Sequence, residues 1–359
     1  MDIKYLKQPI HPSNESKNSY SLELENCNFV KTILMLLVIL YHSCIFWKGD
    51  WFDGAIVATK SDVIRFFAEW LNSFLVYAFV LVSGYVFYYL KVLKKKYLQL
   101  GSFLIGKIKR LVIPYCFITI LWVIPLTCLW VSYSWKDIFL KYFLAISPSQ
   151  LWFLLMLFWC YCLAYFTTDI VSRNSIAIII TFLSFGIGII GNHFIPNYFQ
   201  IWSGFSFFPF FILGMKLSQG EWKLLRKIPL FIYFFIHSVL FVILMFFPSG
   251  KAVYSAFRIV IGFVLHYIGA ITVFFVLQYI GGIFKWKSSH IFQSLYKHQM
   301  IVYLLHQQIV YISIIIFNGR VNPFIICIFN FTIAICASYL IGSLFLKWKI
   351  TRFLIGEKQ

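Results

Sequence analysis

Two residues in the apolar stretch from Asn28 to Trp47 could do chemistry, a lysine near its start and a histidine near its far end. Lys31 and His42 are 11 positions apart, so both project from one face of a helix, about 16 Å apart along its axis. The cation could bind an anion near a membrane surface, and the imidazole could act as a general base deep in the span. A snorkelling lysine and a histidine hydrogen-bonded within a helix bundle are the structural alternative.

A second basic pair, Lys107 and Arg110, lies just before Pro114. Residues three apart share one helix face, so the pair could clamp a polyanion at the membrane boundary. The nearby Lys94 to Lys96 are typical of a topogenic anchor at an anionic leaflet. No DNA- or RNA-binding module accompanies these basic residues, so nucleic acid is not expected as a partner.

Further candidates lie in later apolar stretches. His306 is followed by Gln307 and a second glutamine, and polar side chains grouped in this way would line a cavity better than they would face lipid. Ser83 could line the same cavity, although a serine followed by a glycine also permits a close helix crossing. Trp152 belongs to the aromatic residues at the outer span ends, which are typical of an interfacial belt but could also stack on sugar rings.

The elements that must position these residues are membrane helices. The 359 residues are 61% hydrophobic and 12% charged, whereas soluble proteins have about 25% charged residues. Continuous apolar runs, rather than alternating ones, predict helices and not barrel strands. The sequence predicts an all-α polytopic membrane protein with about ten transmembrane helices, at residues 29–47, 71–90, 111–132, 151–168, 176–195, 202–217, 228–247, 259–280, 300–317 and 323–346.

The placement of charge predicts the orientation of these helices. Of the 31 lysines and arginines, 23 fall in the terminal segments and the even-numbered loops, and 8 fall in the odd-numbered loops. Because positive residues concentrate on the cytoplasmic side, both termini are expected to be cytoplasmic. The predicted organisation is a polar tail at 1–28 without a cleavable signal, a transmembrane domain at 29–346 and a basic tail at 347–359.

The remaining histidines and the cysteines are expected to have packing roles. His193 and His237 lie near predicted span ends, and His266 lies within the eighth span, so each is interpreted as a hydrogen-bonded bundle or interface residue. Cys160 and Cys162 are the only close cysteine pair, and positions two apart on a helix do not face each other. No metal site or redox pair is therefore predicted.

Six short motifs in order resemble the acyltransferase type 3 family of bacterial membrane O-acyltransferases, which includes polysaccharide O-acetylases and the adhesin-succinylation proteins. Together they extend from the first to the ninth predicted span. They are Lys31 with His42, FVLVSGYVF at 79–87, the Lys107 and Arg110 pair before IPY, LWFL at 151–154, FFPFFILGM at 207–215 and SLYKHQMIVYLLH at 294–306.

The resemblance implies an enzyme that moves an acyl group, most readily acetyl, from cytoplasmic acyl-coenzyme A to a glycan or lipid-linked sugar at the bacterial inner membrane. It implies that Lys31, Lys107 and Arg110 bind the donor phosphates. It also implies that His42 acts as general base or acyl carrier, with His306 as its orienter or second proton carrier. No metal is implied, and a homo-oligomer is possible.

Two departures from the family pattern bear on this reading. The family often has arginine where this chain has Lys31 and Lys107, and lysine lacks bidentate phosphate geometry. The segment before the Ser-Gly phrase also lacks the glycine-rich stretch with an aspartate found in many polysaccharide acetylases.

A transporter or flippase for a glycan or small anion is the alternative function, but the inverted repeat it would predict is not evident. A glycan polymerase would be expected to carry a large external loop, which the sequence lacks.

Overall fold

The computed structural model of the protein describes residues 14–49, 51–220, 223–248 and 252–357, and within these ranges it contains no β-strand. Short 3₁₀ and π-helical turns interrupt or join the α-helices. In chain order the α-helices are α1 (Asn14–Cys44), α2 (Asp62–Asn72), α3 (Leu75–Tyr88), α4 (Leu100–Lys107), α5 (Ile113–Ile118), α6 (Ile124–Thr127), α7 (Trp135–Ile138), α8 (Trp152–Val171), α9 (Asn174–Phe194), α10 (Ile201–Ser218), α11 (Lys223–Lys227), α12 (Leu230–Phe246), α13 (Ala252–Ile283), α14 (His290–Phe317), α15 (Pro323–Phe345) and α16 (Lys349–Leu354).

The predicted all-α polytopic membrane protein is confirmed. Within the described ranges, nine helical segments are long and apolar enough to cross a membrane, and α12 is a shorter apolar helix. With 17 residues, α12 is roughly 25 Å long, somewhat shorter than a hydrocarbon core of about 30 Å. It coincides with the seventh predicted span. The cytoplasmic position of both termini stays a prediction.

Helix α1 lies at the centre of the bundle, where it packs against α2, α3, α13, α14 and α15. Its N-terminal part was predicted to be a polar tail, but α1 begins at Asn14, and Asn26 and Cys27 are already buried against the bundle. Asn26 donates to the carbonyl oxygen of Gln278 on α13. Polar residues therefore continue the helix beyond the apolar run because they pack against neighbouring helices. Residues 1–13 lie outside the described residues.

The ninth predicted span is longer than its apolar pattern indicates. Helix α14 begins at His290 rather than at residue 300, with a cap in which the Ser289 hydroxyl accepts a hydrogen bond from the backbone of Phe292. The first ten residues of α14 are too polar for a hydropathy window. As a result His306 lies about four turns into the helix instead of one to two.

The third predicted span, expected at residues 111–132, instead comprises α4, α5, α6 and two π-helical turns between residues 100 and 127. The π-helical turn Ile108–Val112 directly precedes α5, and the π-helical turn Thr119–Val123 directly precedes α6. Pro114 is the second residue of α5, and Pro125 is the second residue of α6. Proline has no N–H to continue the regular hydrogen-bond ladder, so a wider turn at each proline allows the helix to continue.

Helices α3 and α10 make the closest backbone crossing in the bundle. A Cβ atom added at Gly84 would lie 2.1 Å from the carbonyl oxygen of Phe211, and one added at Gly214 would lie 1.9 Å from that of Leu81. Only glycine permits this approach, in the manner of other small-residue crossings in membranes. Two of the sequence motifs thus contact each other through their glycines.

The predicted basic tail is packed against the bundle. Helix α16 ends at Leu354, and Ile355 after it is fully buried. Gly356 has φ +75°, and a Cβ atom there would lie 2.7 Å from the carbonyl oxygen of Arg110. The end of the chain therefore lies against the start of α5. Residues 358 and 359 lie outside the described residues.

Candidate active site

The structure brings together two histidines that are 264 residues apart in the sequence, one on α1 and one on α14. Nδ1 of His42 lies 2.7 Å from Nε2 of His306, and the two rings are nearly parallel, with an interplanar angle of 11°. Nδ1 of His306 lies 2.7 Å from the carbonyl oxygen of Tyr303, one turn earlier on α14. Two successive hydrogen bonds therefore connect His42 on α1 to the backbone of α14.

The carbonyl at the end of this chain determines which nitrogen is left for chemistry. A carbonyl can only accept, so Nδ1–H of His306 donates to Tyr303. With both rings neutral, Nε2 of His306 then accepts from Nδ1–H of His42, and Nε2 of His42 carries a lone pair. No hydrogen bond from a described residue uses this nitrogen. His306 is completely buried, whereas His42 lines a cavity.

The cavity beside His42 has a volume of about 400 Å³. Its walls come from α1, α2, α3, α6, α8 and α14 and from the segments that connect the first with the second, the third with the fourth and the fifth with the sixth predicted spans. These connections are the odd-numbered loops, which the charge distribution predicts to lie outside the cell, and they are called the outer connections here. A pocket of this size, partly apolar with a few polar groups, is typical of a small-molecule site.

Aromatic rings form one side of the cavity. Trp51 stacks on His42 with ring centroids 5.8 Å apart, and Phe52 stacks on Tyr311 with centroids 3.9 Å apart and an interplanar angle of 4°. Trp152 lines the cavity as well. These flat apolar surfaces could stack on the faces of sugar rings, the alternative that the sequence left open for Trp152.

Amide side chains form another side. Gln150 donates through Nε2 to the carbonyl oxygen of Leu304 and to Oε1 of Gln308, both at 2.9 Å. Gln307 also lines the cavity and donates to the hydroxyl of Tyr311, one turn further along α14. The Oε1 atom of Gln307 has no hydrogen-bond partner among the described residues.

A cluster of three polar residues, here called the mouth cluster, lies where the cavity meets the loops. Lys141 donates to the hydroxyl of Tyr133 at 3.0 Å and to the carboxylate of Asp53 at 3.2 Å, and the Tyr133 hydroxyl donates to the same carboxylate at 3.1 Å. Burial alone would lower the pKa of Lys141, but the hydrogen bonds and charges of Tyr133 and Asp53 raise it above its ordinary value. The mouth cluster thus joins the first outer connection to the second.

The predicted donor-binding residues lie on different helices. Lys31 is half-buried on α1, and Met35 and Val38 lie between it and His42 on the same helix face. Lys107 and Arg110 lie where α4 continues toward α5, next to α8. Helix α3 packs against both α1, which carries Lys31, and α8, which packs beside the segment that carries the other two residues.

The environments of Lys107 and Arg110 differ. Nζ of Lys107 lies over the ring of Tyr161, 3.3 Å from its centroid, and within 5.4 Å of the ring centroids of Tyr97 and Phe103. Its ammonium group therefore makes cation–π contacts. Arg110 is exposed, and its charge acts on Tyr97, where burial raises the pKa of the phenol and Arg110 opposes that shift. An exposed guanidinium is accessible to a phosphate.

Ser83 does not line the cavity, contrary to its prediction as a cavity residue. It is buried, and its hydroxyl donates to the carbonyl oxygen of Phe79 at 2.9 Å. Its neighbour Gly84 is at the crossing of α3 with α10, so the Ser-Gly pair follows the packing alternative. Trp152 and Gln307, the other two predicted cavity residues, both line the cavity.

Sequence reasoning missed several residues of the site. Tyr303 and Tyr311 line the cavity, and each is four residues from the predicted Gln307, so all three share one face of α14, a signal that was readable. Gln150 lies directly before an apolar span, where its polarity was readable but its partner on α14 was not. Nothing in the sequence paired Asp53 with residues about 80 positions away.

Within the described residues, no group of three or more histidine, cysteine, aspartate or glutamate side chains could hold a metal ion. The site offers one imidazole nitrogen, several neutral amides, the mouth cluster and several aromatic faces. This set of groups can accept a proton from a hydroxyl and bind a polyhydroxylated molecule.

The family model for acyltransferase type 3 proteins, described as an acyltransferase domain, matches residues 24–343. The matched region covers nearly the whole chain and includes both paired histidines, the whole cavity wall and the three predicted donor-binding residues. No curated protein and no solved structure matches the chain.

Proposed function

Because the chain belongs to the acyltransferase type 3 family and is a multi-pass membrane protein, we propose that it transfers an acyl group from cytoplasmic acyl-coenzyme A to a glycan hydroxyl. Acetyl is the proposed group, a cell-surface or lipid-linked glycan the proposed acceptor, and a bacterial inner membrane the proposed location. The observation that carries the proposal is His42, whose Nδ1 is held by His306 while the side chain lines the cavity.

In the proposed reaction, Nε2 of His42 takes the proton of the glycan hydroxyl as its oxygen attacks the thioester carbonyl carbon. The new C–O bond forms, the C–S bond breaks, and the imidazolium returns the proton to the leaving sulfur. The products are an ester and free coenzyme A. His306 keeps Nε2 of His42 unprotonated and able to accept this proton, because its own Nδ1–H is committed to the carbonyl of Tyr303.

The two substrates are proposed to approach from opposite sides of the membrane. Lys31 and Arg110 would bind the negative phosphates of the donor at the cytoplasmic face, with Lys107 beside them. The glycan would enter through the cavity from the outer connections, where Trp51 and Trp152 offer stacking surfaces. The separation of about 16 Å between Lys31 and His42 is on the scale of the donor's long pantetheine arm.

The test compares cell-surface glycan from cells that contain the protein, lack it, or contain His42→Ala at the same membrane level. Mass spectrometry should find ester-linked acyl groups only on glycan from cells with the unaltered protein. Glycan that is equally acylated in all three would contradict the proposal. Glycan that is absent from the surface of cells lacking the protein would favour transport or polymerisation instead.

A further inference from the structure

The Oε1 atom of Gln307 is a buried side-chain oxygen of the cavity wall that has no hydrogen-bond partner among the described residues. Gln307 is only 4% exposed and lines the cavity, and its Nε2 donates a hydrogen bond to the Tyr311 hydroxyl. Its Oε1 makes no hydrogen bond to a described residue and is itself buried, so a ligand in the cavity reaches it when the amide turns toward the open space. A buried unpaired carbonyl costs free energy unless a ligand supplies a donor.

The neighbouring glutamines show what a structural role looks like in this wall. Gln150 uses both of its N–H groups, on Leu304 and Gln308, and its Oε1 accepts from Ser149 at 2.8 Å. Nε2 of Gln308 in turn donates to the hydroxyl oxygen of Ser149 at 3.5 Å and to Oε1 of Gln150 at 3.4 Å. These two amides satisfy each other, and Gln307 does not take part.

We propose that Gln307 binds the acceptor: its Oε1 accepts a hydrogen bond from a hydroxyl of the sugar ring next to the hydroxyl that is acylated. This inference rests on the proposed function and adds the residue that fixes the acceptor. A thioester carbonyl cannot satisfy Oε1, because both groups only accept hydrogen bonds. A sugar offers donors on neighbouring carbons and also has a face that can stack on Trp51 or Trp152.

The backbone of α14 gives this assignment its geometric basis. Gln307 directly follows His306, the residue that holds His42, so one rigid helix fixes both the base and the group that binds the acceptor. The hydroxyl of Tyr311 accepts the hydrogen bond from Gln307, and the Tyr311 ring is stacked against Phe52 of the first outer connection. Fixing the base and the bound acceptor relative to each other is how orientation lowers a reaction barrier.

The test uses the purified full-length protein in proteoliposomes with acetyl-coenzyme A. The acceptor probe is total surface glycan prepared from source cells that lack the protein. Two rates are measured, acyl transfer to the glycan and release of coenzyme A by hydrolysis when no glycan is present. Water needs no positioning by Gln307, so hydrolysis reports His42 and donor binding alone.

For Gln307→Met, which keeps the side-chain volume but removes the amide, we expect kcat/KM for the glycan to fall roughly 10- to 100-fold. The KM for acetyl-coenzyme A and the hydrolysis rate should stay within about twofold of the unaltered protein. Gln307→Glu keeps an acceptor oxygen and should recover part of the transfer. Gln308→Met is the matched control, since its amide is satisfied within the wall, and it should change transfer and hydrolysis by the same factor.

The inference is overturned if Gln307→Met leaves transfer unchanged, lowers transfer and hydrolysis equally, or raises only the KM for acetyl-coenzyme A. The last result would assign the amide to the donor instead. If Gln307→Met does not fold, the same ratios are read from Gln307→Glu and Gln307→Asn. An unaltered protein that neither transfers acetyl nor hydrolyses the donor would refute the proposed function itself, independently of Gln307.

Discussion

Two pairs of histidines within the helix bundle differ in what they face. His42 and His306 contact each other, and His42 lines the cavity. His237 and His266 both contact Ser73: Nε2 of His237 lies 2.9 Å from its hydroxyl oxygen, and Nδ1 of His266 lies 2.7 Å from its carbonyl oxygen. Neither of the second pair lines the cavity.

The difference shows what makes a membrane histidine suitable for catalysis. His266 is stacked on Tyr77 with ring centroids 4.0 Å apart, and a Cβ atom added at Gly269 would lie 2.9 Å from the ring of His237. These rings are held by packing on their faces and edges. His42 is held equally firmly through Nδ1, but its other nitrogen is beside open space. A fixed ring with one accessible nitrogen is the combination that general-base catalysis needs.

The largest expected effect is that of His42→Ala, set against His237→Ala. Removing the base should lower acyl transfer by roughly 10²- to 10⁴-fold without loss of folded protein. His237→Ala should instead leave transfer nearly intact and lower the free energy of unfolding by about 1–3 kcal/mol, because the Ser73 hydroxyl loses a partner. Initial transfer rates and thermal unfolding in detergent measure the two effects. The comparison fails if His237→Ala abolishes transfer in a protein that is still folded.

His306 should have the next largest effect, because it acts through His42. We expect His306→Ala to lower kcat by roughly 100-fold, the lower end of the range for general-base support, and to leave the KM for the glycan unchanged. His306→Gln can place a carbonyl oxygen near Nδ1–H of His42 and should recover part of that loss. Equal losses in both variants would show that only the volume of His306 matters.

The same distinction between accessible and packed groups applies to two of the predicted donor-binding residues, Arg110 and Lys107. Arg110 is exposed, while the half-buried Lys107 has its ammonium group near the rings of Tyr97, Phe103 and Tyr161. Arg110→Ala should therefore raise the KM for acetyl-coenzyme A roughly tenfold, equivalent to about 1.4 kcal/mol. Lys107→Ala should change KM less and lower the thermal midpoint more. A KM that does not change even in the double variant would remove the phosphate-binding role.

Much of this arrangement was predictable from local sequence, and the exceptions have a physical cause. Continuous apolar runs predicted the spans, and the spacing of Lys31 and His42 predicted their shared face. The contact between His42 and His306 depends on which faces of α1 and α14 meet, and hydropathy carries no such information. Ser83 was misplaced for the same reason, since a serine beside a glycine suits both a cavity and a crossing until the partner helix is known. The start of α14 at His290 was missed because its polar first turns resemble a loop.

The smallest expected effect concerns the mouth cluster, which borders the open space beside His42. The pKa of Lys141 is raised above its ordinary value of 10.5 by Tyr133 and Asp53, so the folded protein binds this proton more tightly than the unfolded chain does. Its contribution to stability is therefore complete below about pH 10 and is lost as pH rises through the raised pKa. Because the ion pair is partly exposed, Lys141→Met should lower the free energy of unfolding by at most about 1 kcal/mol.

Thermal unfolding of both proteins in detergent, followed by tryptophan fluorescence from pH 6 to 11, measures this contribution. The difference between the unaltered protein and Lys141→Met should stay constant from pH 6 to about pH 9 and shrink only above that range. Lys136→Met is the control, since Lys136 lies in the same connection but outside the mouth cluster, and it should show no such pH dependence. A difference that already disappears between pH 6 and pH 8 would mean that a group other than Lys141 holds the two outer connections together.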